Sequence, residues 1–127
     1  MRIDSAKELT VYKTAFELGT LAFELTLKFP REEVYALTSQ LRRSARSICL
    51  NLREAWAKRR YPAHFVSKLT DCDGEANETD SALDYALVHG YITAEDHQRA
   101  TGLRCEVGRM LGSMIRNPEP FLISDGT

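Results

Sequence analysis

The chain has 127 residues, 43% hydrophobic and 28% charged, with a formal net charge of −1, which predicts a single domain over residues 1–127 that can bury a core unaided. A pI near 6.3 argues against a constitutive polyanion binder. Cys49, Cys72 and Cys105 are odd in number and lack C-x-x-C spacing, so they read as small core residues in a reducing compartment, not as a disulfide framework or a thiolate metal site.

Helix 1 is predicted from about residue 9 to residue 28, with Ser5-x-x-Glu8 as a capping box and Phe29-Pro30 as the stop. Its core stripe is Val11, Ala15, Leu18, Ala22, Leu25 and Phe29. A second apolar stripe runs through Leu9, Tyr12, Phe16, Phe23 and Leu27. Such a stripe serves either a second helix of the same bundle or a subunit boundary. Three aromatics exceed what a corner position needs, so these five residues form the expected oligomer interface.

Helix 2 is predicted over about residues 33–59, its acidic start and basic end both matching the helix dipole. Leu37, Leu41, Ala45, Ile48, Leu52 and Trp56 recur every three or four positions and form one buried stripe. At roughly 100° per residue, Arg42, Arg46, Arg53 and Arg60 fall within about 40° of one another, some 120° from that stripe. Residues 42–60 hold seven Lys/Arg against one acid, Glu54.

Pro62 suits the first turn of helix 3, predicted over about residues 62–89. Phe65, Leu69, Cys72, Ala76, Thr79, Leu83 and Ala86 make its bundle seam, and Gly90 ends it. Asp73, Asp80 and Asp84 lie on one flank, with Asp71, Glu75 and Glu78 on the other. Residues 71–96 contain eight acids and no Lys or Arg. Thr93 caps helix 4, expected over about residues 94–117 before Pro118 and Pro120. Its stripe of Thr101, Cys105, Gly108 and Gly112 predicts close approach of another helix backbone; Leu103, Val107, Met110 and Met114 read as core. Long helices with short connections predict an all-α, antiparallel up-down-up-down four-helix bundle with short flexible termini.

No catalytic constellation is evident. The Glu-x-x-His pairs of a di-metal bundle are missing, as are a phosphate-cradling glycine loop and a nucleophile elbow. His64, His89 and His97 read as exposed or capping residues, and the helix 3 carboxylates as counter-charges. No cofactor, metal or small-molecule substrate is therefore expected, and no enzyme activity. The polar first residues and the lack of a long apolar run predict a cytoplasmic protein without membrane contact.

The basic cluster Arg42, Arg43, Arg46, Arg53, Lys58, Arg59 and Arg60 has two candidate fates. It either pairs with the helix 3 carboxylates as a structural or protein-binding network, or stays open for the phosphates of RNA or DNA. Trp56 and Tyr61 beside these cations resemble a base-stacking mixture, although Trp56 lies near the apolar stripe.

The run from Gln40 to Glu54, QLRRSARSICLNLRE, follows Phe29-Pro30 and Glu33-x-Tyr35-x-Leu37. With Phe65, Glu78, Gly90-Tyr91-Ile92 and Gly108-Arg109-Met110-Leu111, it resembles bacterial four-helix-bundle proteins encoded in intervening sequences of 23S ribosomal RNA genes. The resemblance implies a cytosolic, non-catalytic homo-oligomer, a pentamer. The related accessory proteins of diversity-generating retroelements bind nucleic acid as basic pentamers. Here Ala55 stands where the family usually has Gly, and the acidic stretch is unlike that basic branch.

Overall fold

The computed structural model describes residues 3–124. Four helices, α1 (Thr10–Thr26), α2 (Leu37–Ala57), α3 (Pro62–Val88) and α4 (Ala94–Arg116), form the expected all-α antiparallel bundle. Each packs on its neighbours in sequence, and α4 closes back on α1, so the cross-section is a square. The periodic stripes meet in its centre. Leu18, Leu41, Ile48, Leu52, Phe65, Leu69, Leu83, Val107 and Leu111 are essentially inaccessible there.

The helix ends show local chemistry at work. Gly90 has φ +77°, and the N–H groups of Gly90 and Tyr91 donate to the Leu87 and Ala86 carbonyls, a Schellman closure that turns the chain into α4. Thr93 and Asp96 cap each other's backbone N–H groups at the start of α4. The Ser5/Glu8 box also forms, but it caps a separate 3-10 turn, Ala6–Glu8, and α1 begins only at Thr10.

α2 starts later than its sequence suggested. Arg31–Glu33 form a 3-10 turn, and the helix begins at Leu37 because Glu33 acts from outside it. One Glu33 carboxylate oxygen accepts from the Leu37 N–H at 3.3 Å, and the other accepts from the Tyr91 hydroxyl at 2.9 Å. This ties the α3/α4 turn to the head of α2. At the other end α2 stops at Ala57, which leaves Lys58, Arg59 and Arg60 in the turn before α3.

The expected flexible termini fall partly on residues 1–2 and 125–127, outside the described residues. The described parts pack: Phe121 stacks on Phe65 with centroids 6.4 Å apart, and the Ile123 N–H donates to the Arg59 carbonyl. Cys49 and Cys72 are core residues, whereas Cys105 is exposed on the solvent side of α4. The glycines beside it meet no second helix. A Cβ at Gly108 would strike the Arg104 guanidinium of the same helix at 2.6 Å, and one at Gly112 would meet Arg116 at 3.1 Å. Close backbone approach occurs between α1 and α2 instead, where the Ala45 carbonyl lies 3.9 Å from a Cβ placed on Gly19.

Candidate functional site

Arg42, Arg46 and Arg53 face the same way, as the helical spacing requires, and they lean toward α1. Arg42 lies over the Phe23 ring at 4.8 Å and donates from Nε to the Thr26 hydroxyl at 2.7 Å; that hydroxyl can return its proton to the Ala22 carbonyl. Arg46 sits 5.9 Å from the same ring. Arg53 lies 5.6 Å from the Tyr12 ring, its Nε 3.4 Å from the phenol oxygen. The second stripe of α1 and the arginine ladder of α2 are thus two banks of one surface, stacked as cation–π pairs.

Between the banks runs an open groove of about 490 Å³, floored by Ala15, Gly19, Ala45 and Cys49 and walled by Tyr12, Phe16, Phe23, Arg46 and Leu50. Phe16, Phe23 and Leu27 are 60%, 39% and 63% exposed, and Leu50 is 62% exposed. Tyr12 is largely buried against α2. Leu9 departs from the expected interface: it is 6% exposed and belongs to the bundle's own core, because it precedes the first turn of α1 and folds inward there. Leu50 escaped the sequence reading, although it falls one turn beyond Arg46 on the ladder's own face.

The carboxylates of α3 spend themselves elsewhere. Asp80 lies 2.8 Å from Nε of Arg104, and Asp84 contacts His97 Nε2 at 2.8 Å, both on the α4 side. Burial outweighs the Arg104 charge and raises the Asp80 carboxyl above its usual range. On the α2 side, Lys68 bridges Glu54 and Asp71, and Glu78 reaches Arg43 at 3.6 Å. Burial, then the neighbouring Glu78, pushes the Glu75 carboxyl up. Among the described residues, no carboxylate lies within ion-pair distance of Arg42, Arg46 or Arg53. Arg43, beside the ladder, makes with Glu78 the pairing to α3 that the structural reading required.

A family model described as 23S rRNA-intervening sequence protein matches residues 7–113. The chain belongs to that family. A crystal structure of a protein with unknown function from the S23 ribosomal protein family of Bacteroides thetaiotaomicron is similar, with a TM-score of 0.77 and 28% identity over 85% of this chain and 100% of that one. No curated protein matches.

The remaining cations of this family member sit at the bundle end. Arg59 stacks on the Trp56 ring at 3.6 Å and donates from Nε to the Trp56 carbonyl, so the indole is half-buried below and covered above. Desolvation there lowers the Arg59 pKa. Lys58 and Arg60 are exposed beside it. His64 lies edge-on to Tyr61, and His89 packs between Tyr85 and Tyr91. No group of three or more metal-ligating side chains occurs among the described residues. No helix among them is long and apolar enough to cross a membrane.

Proposed function

We propose that this protein is a non-enzymatic interaction module that works as a homo-oligomer, pentameric as the family resemblance implies, and that assembles through the α1/α2 face. One observation carries the reading: the open groove is walled by exposed Phe16, Phe23 and Leu50, and nothing in the protomer covers it. Water around such a contiguous aromatic surface is displaced most economically by another protein surface. Light scattering across a concentration series tests this. The expected mass is about five times 14.4 kDa for the wild type, falling toward 14.4 kDa for Phe16→Glu. A wild type that stays monomeric at all concentrations refutes the assembly.

A second reading concerns RNA or DNA, and it is favoured by Lys58, Arg59 and Arg60 lying in the α2/α3 turn, outside the groove. In a ring this cluster recurs once per subunit at one end, so weak phosphate contacts add through avidity. Arg42, Arg46 and Arg53, on the groove bank, then serve assembly and not the nucleic acid. The expected result is salt-sensitive binding of a labelled single-stranded RNA or DNA, lost in Lys58→Glu/Arg59→Glu at unchanged oligomer mass. Absence of binding at low salt refutes this reading and leaves the assembly standing.

A further inference from the structure

Building on the homo-oligomer proposed above, we infer that the groove between α1 and α2 of one copy receives the outward face of α3 from the next, so that subunits join head to tail. The charges dictate the pairing. No carboxylate lines the groove or the hollows at its two ends, whereas Arg42, Arg46, Arg53, Lys7 and Lys13 do. Two grooves meeting face to face would bring only cations together, and like charges directly opposed at a contact are strongly disfavoured. The groove therefore needs an acidic occupant.

Within a second copy the outward face of α3 is the most acidic. The outer side of α4 carries Arg99, Arg109 and Arg116 beside Glu106, and that of α1 mixes Lys13 with Glu17 and Glu24, whereas residues 71–88 of α3 hold six acids and no Lys or Arg. On α3 the side chains of Asp71, Glu78 and Asp84 remain 52%, 57% and 69% exposed despite their contacts within the protomer. They flank a low strip of small residues, Ser67, Thr70, Gly74 and Ser81, that ends in the exposed side chains of Tyr85 and Val88. A Cβ at Gly74 would meet nothing within 4 Å. The protomer thus has no use for a glycine that weakens the middle of its longest helix, while a neighbour inserting Phe16, Phe23 and Leu50 over that strip does. Two different faces in contact make a heterologous interface, which closes into a ring when the rotation per subunit allows.

Charge reversal tests the pairing. Arg46→Glu/Arg53→Glu and Glu78→Lys/Asp84→Lys should each raise the concentration needed for assembly at least tenfold, with helical content by circular dichroism unchanged. The chain carrying all four substitutions should regain the wild-type mass. Gly74→Lys, which favours the helix but fills the strip, should fold and fail to assemble. The pairing is overturned if the α3 reversals or Gly74→Lys leave the mass unchanged, or if the fourfold variant stays dissociated. It is equally overturned if Arg46→Glu/Arg53→Glu abolishes binding of a labelled RNA while the oligomer persists. Each of these results spares the oligomer itself, which falls only if the wild type is monomeric.

Discussion

Phe16 and Leu18 stand two residues apart on α1 with opposite surroundings, 60% and 0% exposed, and their truncation separates assembly from folding. Leu18→Ala removes a fully buried side chain and should cost the protomer about 2–5 kcal/mol of stability. Phe16→Ala should cost the protomer only about 1 kcal/mol, since most of the ring contacts water and alanine is the better helix former. At the proposed interface the balance reverses. Taking roughly 200 Å² for a phenylalanine side chain, the exposed 60% leaves about 120 Å² for a partner to cover. At about 25 cal/mol per Å² this is worth about 3 kcal/mol per contact, or roughly a hundredfold in subunit affinity. Sedimentation velocity over a dilution series reads the affinity, and urea denaturation of the dissociated protein reads the protomer. A Phe16→Ala protein that dissociates at the wild-type concentration refutes the reasoning, because a ring this exposed cannot sit in a dry interface at no energetic consequence.

Four further outcomes follow from the interior. The buried hydroxyls of Ser44 and Thr79 are 3.0 Å apart, and Thr79 is 2.9 Å from the Glu75 carbonyl; with one proton each, Thr79 best donates to Glu75 and accepts from Ser44. Ser44→Ala and Thr79→Val should each cost about 1–2 kcal/mol, and the double variant less than their sum, as a urea-denaturation cycle would show. The Glu75 carboxyl is raised in the folded chain above its ordinary value of 4.5, so its proton is held more tightly folded than unfolded and stability is lost as pH rises through and above that value. Glu75→Gln should therefore melt higher than the wild type at pH 7, and the difference should shrink toward pH 4; a lower melting temperature at pH 7 would contradict this. Burial pushes the Cys49 and Cys72 thiols up to about 11 and about 12, so iodoacetamide at pH 8 should alkylate exposed Cys105 alone, as peptide mass mapping would reveal. Above pH 9 the same two thiols should make stability fall, since they ionise only on unfolding.

Local chemistry in the chain determined the four rods and their inner faces. Heptad-like spacing placed Phe65 to Ala86 in the core, and Gly90 and Thr93 marked the α3/α4 turn, because those effects act within a few residues. Periodicity places the start of α2 too early, because Glu33 stands outside the helix with one oxygen on the Leu37 N–H and the other on Tyr91, 58 positions away, and the second contact leaves no local trace. Helical periodicity also put Arg42, Arg46 and Arg53 on one side. It could not say what that side would meet. Only the packing of α1 against α2, brought close where Gly19 faces Ala45, set the arginines over Phe23 and Tyr12 and merged two separate stripes into one groove. Likewise, the charge count left neutralisation of the ladder by the acids of α3 as one of two fates, and the square arrangement of helices turned those acids toward Arg104, His97 and Arg43. Periodicity fixes the angle of a side chain about its own helix axis; which neighbour stands at that angle is decided only when all four helices dock.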